Sequence, residues 1–165
     1  MKDLALLVVV GSLVACSKHE GGASGDCKPV AVTVDGTALP AMPKGLAKAN
    51  NMNGDVSYEV QLFNHDKATC DDMLNKSGRQ VPDDEISVRA FAAGAGMTGK
   101  GVAIDAHTQM GGAVTLASDT PKAVGDVVKV CVDNVAFTPI AGRYKDKNVV
   151  VNGLFEGTYC GEMKW

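Results

Sequence analysis

Aromatic side chains make up 5% of this 165-residue chain, and histidine occurs three times. So few rings leave no basis for a platform that stacks sugars. Lys and Arg total 16 against 19 Asp and Glu, and no Lys/Arg cluster occurs. A net charge of -3 without a basic patch argues against nucleic-acid binding and against adhesion to anionic lipid through charge. There is no G-x-S-x-G elbow and no C-x-x-C pair, so the common signatures of acyl transfer and of a zinc knuckle are missing. No EF-hand spacing and no internal repeat is present. No apolar run approaches the roughly 20 residues that a membrane-spanning helix needs. A long 3.6-residue hydrophobic period is also missing, which removes the helical-bundle classes.

What the chain does contain is a two-residue rhythm. Val30-Ala31-Val32-Thr33-Val34 is β-branched and ends at Asp35-Gly36, a turn dipeptide. From Val56 to Asn64, residues Val56, Tyr58, Val60 and Leu62 share one face, with Ser57, Glu59, Gln61 and Phe63 opposite. Residues 86–91 alternate as well, and Val102 to Asp105 and Val114 to Leu116 are shorter candidates. Val128, Val130 and Val132 fall on one face, against Lys129, Cys131 and Asp133. In the last segment Val149, Val151, Phe155 and Tyr159 oppose Asn152, Glu156, Thr158 and Cys160. Such alternation means half-buried antiparallel strands. The expected fold class is all-β: one disulfide-stapled antiparallel β-sandwich or open barrel of about 7–8 strands. Hairpins 127–137 with 148–160 and 86–93 with 101–106 are expected. Two short helices are expected too. One spans Pro43 to Asn50. The other opens at Thr69, where Asp72 completes a capping box.

The N-terminus has its own pattern. Leu4 to Ala15 is a twelve-residue apolar stretch broken only by Gly11 and Ser12, and it stops at Cys16. That length suits the h-region of a signal peptide rather than a span. With Leu13-Val14-Ala15-Cys16, the leader resembles the signal peptide and lipobox of bacterial lipoprotein precursors. The resemblance covers the leader only. It implies diacylglycerol on the Cys16 sulfur, cleavage before Cys16 and acylation of the new amino group. Ser17, where an Asp would signal inner-membrane retention, implies sorting to the outer membrane. The domains expected are a signal peptide at 1–15, the lipidated Cys16 with a flexible tether at 16–26, and a β-domain at 27–165. The tether contains no large apolar residue, so burial cannot offset its ordering entropy. His19, within it, is expected to be solvated.

Assigning Cys16 to lipid makes the remaining cysteines an even set: Cys27, Cys70, Cys131 and Cys160. In an exported chain an even set points to two disulfides. Three pairings are open, and spacing does not choose among them.

Candidate chemistry is sparse. Gly94 to Gly101 approaches a P-loop, but Gly101 stands where the Mg²⁺-binding hydroxyl belongs, and a strand-like segment follows instead of a helix. A hairpin loop without nucleotide is expected. His107 and Met110, with Met97 nearby, are soft-ligand types, but the Cys, two His and Met of a copper centre do not assemble. The acids Asp66, Asp71, Asp72, Asp83, Asp84 and Glu85 crowd two loops and read as a solvated rim. No cofactor and no catalytic residue is assigned. The principal expectation is a membrane-anchored envelope lipoprotein whose domain binds a protein or envelope component without catalysis, with the last strand offering an edge if unpaired. The alternative is a metal-binding or hydrolytic envelope protein using His65, His107 and the acidic loops.

Overall fold

A computed structural model describes residues 27–74, 82–93, 100–105 and 107–164. The leader, Cys16, the tether, the glycine-rich 94–99, Met97 and Trp165 lie outside the described residues.

Among the described residues are ten strands and one helical turn. They are β1 (Ala31–Val34), β2 (Thr37–Ala38), β3 (Lys44–Met52), β4 (Asp55–Phe63), α1 (Cys70–Met73), β5 (Ser87–Ala93), β6 (Gly101–Ile104), β7 (His107–Met110), β8 (Ala113–Leu116), β9 (Val127–Phe137) and β10 (Val149–Lys164). The all-β class holds. All ten strands belong to one sheet that does not close, with path β2-β1-β10-β3-β4-β5-β6-β7 and with β9 and β8 following on from β10. The sheet curls, so that β8 comes close to β5, and β9 to β4 and β5, without ladder bonds. Both expected hairpins form: β9 with β10, and β5 with β6.

Three expectations need correction. The sheet is mixed, because β3 runs parallel to β10. The stretch from Pro43 to Asn50 is not a helix. Its Leu, Ala and Lys are good helix formers, but such preferences amount to less than about 1 kcal/mol per residue, and β3 instead pairs with β4 along all nine residues while β10 pairs its other side. Tertiary pairing outweighs local propensity there. Finally, β10 is not an edge strand over most of its length: as far as Thr158 it has β9 on one side and β1 then β3 on the other, and beyond Tyr159 its ladder is with β3. Ten strands replace the seven or eight expected. The sequence pattern misses β2, which is two residues long, β3, and the polar β7.

The core lies inside the curl. Of its eighteen buried side chains eleven are valine, and only Phe137 and Phe155 are aromatic. This explains how a chain poor in rings folds: β-branched residues fit a pleated inner face, each contributing about 1.5–3 kcal/mol on burial. The faces follow the sequence alternation, with Val128, Val130 and Val132 buried. The parity then switches to Val135 and Phe137, because one extra residue enters β9 opposite the Val151–Gly153 step, with Asn134 at φ 49°. That is a β-bulge, and it bends the hairpin.

Two glycine contacts let β10 serve three neighbours. Gly153, at φ 104°, sits where the chain crosses β10 at Pro29 and Val30, and a Cβ would lie 2.6 Å from the Val30 Cα. Gly157 lies against β3, where a Cβ would meet the Leu46 backbone carbon at 2.7 Å.

A second, smaller cluster occupies the outer face. Leu46, Phe63, Ala68, Met73 and Cys160 are buried there, with Cys70 and Leu74 against them. The capping box forms as expected: the Asp72 backbone N–H donates to Thr69 Oγ1, and the Thr69 N–H donates to the Asp72 carboxylate at 2.8 Å. Two disulfides close the framework, Cys27–Cys131 and Cys70–Cys160. Among the described residues no helix is long and apolar enough to cross a membrane.

Candidate functional site

Strand directions gather three connections at one end of the sheet. They are the excursion between β4 and β5, the β6–β7 turn, and the loop between β9 and β10. This end holds His65 and most of the acids singled out from sequence.

Asn64 begins the excursion by extending the β4–β5 ladder with its side chain. Its Nδ2 donates to the Asp84 carbonyl at 3.0 Å, and its Oδ1 accepts from the Ile86 N–H at 2.9 Å. The Asn64 N–H itself donates to the Ile86 carbonyl. This pins His65 beside Glu85. The His65 Nε2 and Glu85 Oε2 are 2.7 Å apart, and the Glu85 side chain is 2% exposed. The Lys67 N–H donates to His65 Nδ1 at 3.2 Å. With Nδ1 accepting, Nε2 is the ring nitrogen directed at the Glu85 carboxylate. Both ring nitrogens are thereby engaged. The ring also tilts against Phe63, with centroids 5.9 Å apart.

Arg143 ties the three connections together. Its guanidinium donates to the Asp83 carbonyl at 2.6 Å, and its backbone N–H donates to the Asp105 carboxylate. Between them is a recess of about 160 Å³ lined by Glu85, Ile86, Ser87, Asp105, Arg143 and Tyr144. The Ser87 hydroxyl accepts from Gln61 Nε2 at 2.9 Å. The arrangement holds loops.

The two domain histidines do not converge. Leu62 faces Val88, Val88 faces Ile104, and Ile104 faces His107, which sets His107 three strands from the strand leading to His65. Three inter-strand steps amount to roughly 14 Å. The His107 ring stacks on Phe137, with centroids 5.5 Å apart and planes 21° from parallel. Its Nε2 is buried with no hydrogen-bond partner among the described residues. Met110 is 54% exposed at the far end of β7. The acids do not converge either. Asp66, Asp71, Asp83 and Asp84 are exposed, Asp72 caps α1, and Glu85 is buried on His65. Among the described residues no group of three or more His, Cys, Asp or Glu could hold a metal ion.

Sequence reasoning did not single out Arg143 or the polar network on the outer face of β3, β4 and β5. There the buried Glu59 carboxylate meets Lys48 Nζ at 3.6 Å, Arg89 Nη1 at 3.8 Å and Asn50 Nδ2 at 3.3 Å. Arg89 also lies over Phe91, 5.7 Å from its centroid. The charges alternate across three adjacent strands. That signal is readable only once the stretch from Pro43 to Asn50 is known to be a strand.

Other recesses lie elsewhere on the sheet, two of them beside β1 and β10. One, of about 270 Å³, adjoins the Cys27–Cys131 disulfide and includes Lys28, Asp133 and Asn152. The other, of about 320 Å³, is lined along β1 and β2 by apolar residues including Val30, Leu39 and Met42. No family model, curated protein or solved structure matches this chain.

Proposed function

We propose that this chain is an envelope lipoprotein, held to a membrane by acyl groups on Cys16, whose β-domain binds a protein or envelope component without catalysing a reaction. The observation that carries the reading is the parity of the cysteines. Of five, the four in the domain pair as Cys27–Cys131 and Cys70–Cys160, and the odd one ends the apolar leader at Leu13-Val14-Ala15-Cys16. Two disulfides belong to an oxidising compartment outside the cytoplasm. A lone cysteine at the end of a twelve-residue apolar run suits acylation, and more than one acyl chain makes anchoring stable. Ser17 supports the outer membrane as the destination. The non-catalytic part of the reading is supported by the loop-holding roles of His65, Glu85 and Arg143.

The test is intact-mass analysis of the protein extracted from membranes. The expected species starts at Cys16, carries diacylglycerol and an amide-linked acyl chain, and has no free thiol when denatured without reductant. The Cys16→Ser variant is expected to leave the detergent phase. A species that starts at Met1 with unmodified Cys16 would overturn the proposal. So would turnover by the domain that is abolished by His65→Ala.

A further inference from the structure

We propose that the Cys70–Cys160 disulfide is a redox-released clasp. Its reduction frees α1 from the outer face of the sheet and uncovers an apolar patch on Leu46 and Phe63, while the core inside the curl stays folded. The inference uses the disulfide and the second cluster alone, and does not depend on lipidation of Cys16.

Three observations carry it. The first is the separation of the two cores. The main cluster of eighteen side chains fills the inside of the sheet, and the second cluster, centred on Leu46, Phe63 and Met73, lies on the outside. The sheet itself stands between them, so losing one need not loosen the other. The second is the weakness of α1 as a free element. It is four residues long, held internally by the Met73 and Leu74 amides bonded back to Thr69 and Cys70 and by the Thr69–Asp72 capping box. Isolated helices shorter than roughly 12 residues are marginal in water. The covalent link to β10 therefore holds it in place together with the packing of Ala68, Met73 and Leu74. The third is that the excursion is anchored separately at its base. Asn64 bonds Asp84 and Ile86, and His65 bonds Glu85. These contacts lie outside the clasp and limit how far the opening travels.

The two cysteines are unequally exposed. Cys160 is 5% exposed, and Cys70 is half-buried at the start of α1. A dithiol reductant therefore attacks through its thiolate at Cys70 Sγ. The Cys70–Cys160 bond breaks, and Cys160 leaves as a thiolate that takes up a proton. The second thiolate of the reductant then attacks the mixed disulfide, closes its own disulfide and releases Cys70 as a thiol. The protein gains the two electrons and two protons that the dithiol gives up.

The experiment compares the full chain with the Cys70→Ala/Cys160→Ala double variant, which keeps Cys27–Cys131. Amide hydrogen exchange is followed by NMR, and anilinonaphthalene sulfonate fluorescence reports exposed apolar surface. The expected result is loss of protection at Met73 and Leu74, increased dye fluorescence, and unchanged protection at Ile86 and along β9 and β10. Wild-type protein reduced by a dithiol and alkylated at Cys70 and Cys160 is expected to match the variant. Retained protection at Met73 and Leu74 with no gain in dye binding would overturn the proposal. Loss of protection along β9 and β10 would overturn it as well, because the disulfide would then hold the whole fold rather than a local clasp.

Discussion

The parallel β3–β10 junction is where an added methyl group does the most informative damage. It joins the run β3 to β7 to the remaining strands, and it holds Gly45 and Gly157 close together. A Cβ on Gly157 would sit 2.7 Å from the Leu46 carbon, 2.8 Å from its oxygen and 3.0 Å from its nitrogen. These are backbone atoms of a strand bonded on both sides, so no side-chain rotation relieves the overlap. Overpacking of this kind costs about 1–3 kcal/mol, and losing an adjacent ladder bond costs about 1 kcal/mol more. Against this, Ala is favoured over Gly within an element by about 0.5–1 kcal/mol. Gly157→Ala is therefore expected to destabilise by about 2 kcal/mol. That corresponds to a fall of roughly 4–8 °C in Tm at this chain length. The assay is thermal and urea unfolding by circular dichroism, with Thr158→Ala as a control, because Thr158 is exposed on the same strand. The urea m-value is expected to stay constant, since the surface exposed on unfolding does not change. A Gly157→Ala protein at least as stable as wild type would show that β3 and β10 are not in contact there, and would refute the topology.

Two further predictions concern electrostatics. His65→Ala removes a hydrogen bond to a buried carboxylate, an interaction type that contributes about 1.5–3 kcal/mol. It is expected to lower the urea midpoint and to speed exchange of the Asn64 and Ile86 amides. If metal content and partner binding change while stability does not, the loop-holding role is wrong. Asp35 and Asp126 both have pKa values lowered from the ordinary range. For Asp35 the cause is first the Asn148 N–H and then the Lys147 ammonium; for Asp126 it is the Ala123 and Lys122 amides. A carboxyl that is more acidic when folded stabilises the fold above its unfolded pKa of about 3.9, and loses that contribution as pH falls through the folded value. The Asp35→Asn/Asp126→Asn double variant is expected to flatten the decline of the urea midpoint between about pH 5 and pH 3. An unchanged decline would mean that these turns contribute nothing to acid sensitivity.

The sequence by itself determined the all-β class, the two principal hairpins, the inward faces of β4, β9 and β10, the capped turn at Thr69 and the evenness of the domain cysteines. Each of these rests on local physics, such as side-chain alternation, cap chemistry or counting, and needs no knowledge of what lies across the fold. Tertiary structure alone decided which cysteines pair, that β3 is a strand, that β10 has partners on both sides as far as Thr158, and that His65 and His107 belong to well-separated parts of the sheet. Those outcomes depend on contacts between residues far apart in the chain. Pairing on both sides overrides the local helix preference of Leu46 to Ala49, and close approach at Gly153 and Gly157 lets one strand take neighbours on both edges. The candidate site was legible only in part. His65 and Glu85 stand out as residue types, but their bond depends on Asn64 extending a ladder whose register no local pattern encodes. Arg143 sits in a loop without periodicity, and its role exists only because the sheet brings Asp83 and Asp105 to the same end.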